Sequence, residues 1–149
     1  MKVAIYLADY AQADQAGKVN AIGFGWTTIA SPLGPFAVVV LIDFEWTESN
    51  VPHDVQCELL NEDGAPVITP GPLGPQPVQF GARVETGRPP GAIHGTGQRT
   101  PLAINIGAGM ALDPGRYEWR VTVTGNGSTV ETATAPFLVW RPDQQGMPS

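Results

Sequence analysis

From Phe36 to Trp46 every second residue is large and apolar: Phe36, Val38, Val40, Ile42, Phe44 and Trp46. Successive side chains of a strand point to opposite faces, so this alternation puts all six on one side of a sheet. The intervening Ala37, Val39 and Leu41 are apolar as well, and only then do Asp43 and Glu45 follow. The first half of the strand is therefore expected to be covered on both faces and the second half on one. A sheet with a second layer packed on it is required. The cover over Ala37, Val39 and Leu41 is expected to come from a partner.

The same period recurs along the chain. Val3, Ile5 and Leu7 share one side of a first strand. Ile22, Phe24 and Trp26 share one side of a second, with Ala21, Gly23 and Gly25 opposite, where small residues would admit a close neighbour. A strand from Val55 to Leu60 ends at the turn signal Asn61-Glu62-Asp63-Gly64. Val78, Phe80, Ala82 and Val84 mark another strand, and Leu102, Ile104 and Ile106 the next. Tyr117, Trp119, Val121 and Val123 then alternate with Glu118, Arg120, Thr122 and Thr124, and Asn126-Gly127 turns the chain into a last strand ending near Trp140. No stretch keeps helical spacing for three turns. The reading is an all-β chain of about eight strands.

Composition agrees. The chain has 149 residues with 18 Gly and 15 Pro, and its apolar residues lie in separated runs, as strands joined by turns require. One domain over 1–141 and a flexible tail over 142–149 are expected. The single cysteine, Cys57, excludes an internal disulfide. Two connections are rich in proline: Thr69 to Pro77, expected to be extended polyproline-like chain, and Gly87 to Pro101.

Charge excludes some partners. At a net −6, with eight basic residues scattered from Lys2 to Arg141, no basic patch is available to track phosphates, so nucleic acid is not expected. The apolar run Val3–Ala8 is shorter than the core of a signal peptide, and Phe36–Ile42 is far shorter than a bilayer span. A soluble protein made in the cytoplasm, with no membrane partner, is the expectation.

The most specific local pattern is Leu112-Asp113-Pro114-Gly115-Arg116-Tyr117. Asp-Pro-Gly makes a turn, and a tyrosine two residues later opens a strand. This resembles the tyrosine corner of immunoglobulin-like domains, in which the phenol bonds back to the loop backbone. Trp119 stands where the second cysteine of antibody-type domains would be, and can fill the core in its place. Asp113, Gly115, Tyr117 and Trp119 are thus structural residues of an expected immunoglobulin-like antiparallel β-sandwich of Greek-key type.

Chemistry is sparse. His53 and His94 belong to no metal-ligand spacing, so neither a metal nor a cofactor is expected. Cys57 alternates with Val55 and Leu59 and reads as a core thiol, its pKa raised by Asp54 and Glu58. Asp43, Glu45 and Glu48 form the densest acidic group and read as a solvated strand face; a hydrolase would need them, or His53, to converge. Ser49 and Ser128 lack a nucleophile-elbow setting. Trp26, Trp46 and Trp119 fall on core parities, leaving Trp140 free.

Gly23-Phe24-Gly25-Trp26, Phe36 with the strand after it, His53, Asp63-Gly64, Gly87-Arg88-Pro89-Pro90-Gly91 and Pro114-Gly115-Arg116-Tyr117-Glu118 together resemble a family of small β proteins from bacteria and their phages, a domain of unknown function. The resemblance implies a stand-alone, non-enzymatic module and carries no catalytic residues. The expected function is structural or protein-interacting. Its partners would be other protein subunits: copies of itself in a homo-oligomer, or the capsid or tail proteins of a phage particle, with the virion as its location. The alternative is a small-ligand binder whose rim is formed by the two proline-rich loops, with Arg88 and Arg99 as anion contacts beside Pro89 and Pro90.

Overall fold

The computed structural model describes residues 1–14, 16–125 and 129–142. Twelve strands run through them: β1 (Lys2–Ala8), β2 (Tyr10–Ala13), β3 (Val19–Ile22), β4 (Thr28–Ala30), β5 (Phe36–Phe44), β6 (His53–Asn61), β7 (Ile68–Gly71), β8 (Gly74–Pro77), β9 (Gln79–Val84), β10 (Gln98–Ile106), β11 (Gly115–Gly125) and β12 (Val130–Trp140). A single 3-10 turn, Trp46–Glu48, is the one helical element among the described residues. The turn at Asn126-Gly127 and the tail beyond Pro142 lie outside the described residues.

Two sheets make the body. One has the order β1-β5-β10, the other β4-β12-β11-β6-β9. Every pairing is antiparallel except that of β4 with β12, which is parallel. The parity set by the long apolar strand decides what faces inward. Phe36, Val38, Val40, Ile42 and Phe44 pack with Ile5 and Leu7 of β1 and with Leu102, Ile104 and Ile106 of β10. Against them lie Val55, Cys57 and Leu59 of β6, Trp119, Val121 and Val123 of β11, and Phe137 and Val139 of β12. Two apolar sheet faces that can bury each other form a sandwich-like pair of layers, and burial of each such side chain contributes roughly 1.5–3 kcal/mol.

Four expectations are corrected. The cover over Ala37 and Val39 comes from the chain itself. After a bend at Asp9 the hairpin β2–β3 folds over the outer face of the three-stranded sheet, and Ala8, Ala11, Ala37 and Val39 form a second buried cluster with Val19, Leu41 and Ala103 around it. Alanine at three of those four positions lets one backbone lie close on another. Asn105 fixes the approach: its amide donates to the Ala11 carbonyl at 2.7 Å and accepts from the Ala11 N–H at 3.3 Å, so one side chain serves as a pairing strand.

The strand expected through Phe24 ends instead at Ile22. Gly23 and Gly25 have φ of +61° and +90°, left-handed backbone that glycine alone adopts freely, and they turn the chain where alternation would have continued it. The strand expected to run to Trp46 stops at Phe44, and Trp46 leaves the core in the 3-10 turn. Finally, 69–77 is not polyproline-like. Gly71 and Gly74 close a two-residue turn, so Pro70 pairs with Pro75, and Pro77 with Ile68, at sites that exchange no ladder hydrogen bonds. Prolines placed there cost the hairpin nothing.

Candidate functional site

Tyr117 opens β11 directly after the Asp113–Gly115 turn, and its hydroxyl donates to the Asp113 carbonyl at 2.7 Å. Partial burial, followed by the nearby charges of Asp113 and Glu62, raises its phenol pKa. The ring stacks on Phe137 with centroids 5.8 Å apart. Trp119 is wholly buried, stacked on Phe80 at 5.7 Å and tilted against Phe36 at 6.3 Å. Its indole N–H has no partner, as befits a ring used for volume rather than for recognition. These residues hold the fold together and offer nothing to a ligand.

The arginines expected to meet an anion are already engaged. The Arg88 guanidinium lies 3.8 Å over the Trp46 ring and donates to the Trp46 carbonyl at 2.8 Å. Exposed His94 lies by the same ring at 4.8 Å. A cation over an indole face is held by the ring quadrupole, so the loop that carries Arg88, Pro89 and Pro90 is tied down onto the 3-10 turn. Arg99 donates to both carboxylate oxygens of Asp43, at 2.6 and 3.1 Å, a bidentate pair. That hydrogen bond holds the Asp43 carboxyl below its ordinary pKa and raises that of Arg99. The two proline-rich loops do not share a rim either. One follows Val84, opposite His53 at the start of β6, and the other branches off at Leu59, where Val67 and Val78 bond to the strand, about 20 Å away along it.

The acidic group does not converge with the histidine. Phe44 points inward and packs its ring 4.5 Å from buried His53, whose Nδ1 lies 2.8 Å from the Val51 carbonyl. Asp43, one residue earlier, points to the other face. Glu48 turns back to accept from the Glu45 N–H at 2.8 Å. Among the described residues no three His, Cys, Asp or Glu side chains are placed to hold a metal ion. Burial, rather than Asp54 or Glu58, pushes the Cys57 thiol up to about 11. No helix among the described residues is long and apolar enough to cross a membrane.

Large apolar side chains are exposed at several places, Leu73 and Ile93 among them, and four of them lie on or beside the hairpin. Tyr6, Tyr10, Ile22 and Phe24 are 42%, 48%, 68% and 51% exposed, which is unusual for side chains of that size. Tyr10 and Ile22 face each other across β2 and β3, and the Tyr6 and Phe24 rings meet at 5.0 Å. The turn that places Phe24 depends on Gly23, where a Cβ would collide with the Asp9 carboxylate. Alternation puts Ile22 and Phe24 on the same side as Trp26, which packs against the core, but the two glycines flanking Phe24 turn the chain and leave Ile22 and Phe24 outside.

Residues 3–137 match the family described as a family of unknown function (DUF6941). The chain belongs to that family. No curated protein matches the chain. Among solved structures, the soluble domain of PmoD from Methylocystis sp. ATCC 49242 (Rockwell) is 14% identical, with a TM-score of 0.43 over 93% of this chain and 90% of that one. A family 123 glycoside hydrolase from Clostridium perfringens is 14% identical, with a TM-score of 0.41 over 94% of this chain and 28% of the hydrolase. Likeness at this level assigns neither activity nor partner to the DUF6941 chain.

Proposed function

We propose that the DUF6941 chain is a non-enzymatic interaction module that associates with copies of itself through the Tyr6–Tyr10–Ile22–Phe24 surface. The observation that carries this reading is the exposure of two neighbouring pairs, Tyr10 with Ile22 across the hairpin and Tyr6 of β1 with Phe24 of the turn after β3. The four side chains are aromatic or aliphatic, so two such surfaces can meet through apolar contact although the chain carries a net −6. Their exposed area, roughly 400 Å², is about half of what one partner contributes to a standard interface. The association is therefore reversible and concentration-dependent. An accessory subunit of a larger particle, such as a phage capsid, is its most concrete setting.

The finer fold reading belongs with this proposal. An immunoglobulin-like sandwich is supported by the two strand orders, by the parallel pairing of β4 with β12 and by the Tyr117 bond at the start of β11. In such a sandwich the hairpin β2–β3 is an addition to the frame, and an addition that exposes aromatics is placed for contact.

Amide hydrogen exchange on the whole chain tests the surface. Raising the protein concentration should slow exchange at Tyr6 to Phe24 and leave the outer face of β6 unchanged. Concentration-independent exchange throughout, or protection confined to another face, would overturn the proposal.

A further inference from the structure

The two body sheets do not close on each other along one side. β9 ends the five-stranded sheet and β10 ends the three-stranded one, and no pairing joins them. Between them lies a cleft of about 260 Å³, lined by Val55 and Cys57 on its floor, Phe80, Gly81 and Ala82 on one wall, and Leu102, Ala103 and Ile104 on the other. Three features give it a character of its own. First, it is bounded at one end: Thr86, just beyond β9, and Thr100 of β10 are joined by a hydrogen bond between their hydroxyls. A partner's strand could not run through between the two edges. Second, its walls are stiff, since Phe80 is stacked on buried Trp119 and Cys57 sits in the middle strand of three. Third, nothing ionised lines it. Its one titratable group is the Cys57 thiol, which burial holds neutral at physiological pH.

The inward parity of β9 shows where an occupant would go. Phe80, Ala82 and Val84 share the core-facing side, yet Ala82, directly across from Val55, is exposed because nothing lies above it. A core position filled by alanine at an open seam leaves room for something supplied from outside. Charge matching then selects the occupant: an ion would lose its hydration to walls that return nothing, whereas an apolar group loses only its contact with water. Size limits it further, because a dry apolar cavity of ~150 Å³ accepts benzene. We propose that the β9–β10 cleft binds a small uncharged apolar molecule, of the size of one or two aromatic rings or a short alkyl chain. This site is separate from the Tyr6–Phe24 surface and does not depend on it.

The uncharged fluorophore N-phenyl-1-naphthylamine, titrated into the full chain, tests this. Saturable enhancement is expected from the wild type. Ala82→Phe should fill the cleft from its own wall, keep or raise the melting temperature, and weaken the probe by about ten-fold or more. Ala82→Leu serves the same purpose if the larger ring disturbs the fold. Phe24→Ser should leave probe binding unchanged. The proposal is overturned if the wild type shows no saturable binding, if well-folded Ala82 variants bind as the wild type does, or if Phe24→Ser abolishes the signal.

Discussion

Trp119 stands among Phe36, Phe80 and Leu59 with no exposed surface and no hydrogen bond to lose. Its contribution is volume, so Trp119→Ala should cost about 3–5 kcal/mol in chemical denaturation, while Trp119→Phe, which keeps an aromatic ring, should cost much less. Tyr117→Phe deletes a single hydrogen bond at a half-exposed turn and should cost about 1 kcal/mol or less. Asp43 supplies a pH signature. Its folded pKa lies below the unfolded one because Arg99 hydrogen-bonds the charged form. The stabilisation is present above the unfolded value of ~3.9 and is lost as pH falls through the lower folded value. Carboxyl NMR titration should place the Asp43 midpoint below the ordinary range, and Arg99→Gln should move it back up. Much at this scale was legible in the sequence: the burial of Cys57 and Trp119 follows from parity, and the Asp113–Tyr117 bond from turn chemistry. The Arg88–Trp46 and Arg99–Asp43 contacts were not, because they join residues 42 and 56 positions apart.

Elements were readable where two physical signals agreed. β5, β6 and β11 combine strict alternation with β-branched or aromatic residues, and their inward faces are those the period predicts. β2 reads Tyr-Ala-Gln-Ala and has almost no apolar period; it is a strand because the outer face of β5 needs a cover thin enough to lie on Ala37. β7 and β8 were hidden by their prolines, which are tolerated only because of the register they fall in. The hairpin's hold on the sheet rests on Asn105. Asn105→Ala leaves the Ala11 N–H and C=O without that partner, which should cost about 1–3 kcal/mol and speed exchange of the Ala11 amide well before global unfolding. Gly23→Ala meets both a positive φ and the Asp9 carboxylate, so it should shift the Phe24 turn and lower stability by about 1–3 kcal/mol. Unchanged Tyr6 and Phe24 resonances in that variant would contradict the role given to the turn.

At the scale of the molecule, the chain covers its own sheet and still leaves one aromatic surface open. The long alternating strand implied two covered faces, and both are covered from within: one by the opposite sheet, the other by the β2–β3 hairpin. The proposed self-association therefore does not rest on an unfinished core. It rests on the outer side of the covering hairpin, where Tyr10 and Ile22 face water, and on exposed Tyr6 and Phe24 beside it. Sedimentation equilibrium of the whole chain, from micromolar to several hundred micromolar, tests this most directly, alongside a Tyr6→Ser/Phe24→Ser variant with unchanged melting behaviour. The account predicts a reversible rise in average mass for the wild type and a monomer throughout for the variant. A wild type that stays monomeric over the whole range, or a variant that associates as strongly as the wild type, would contradict it.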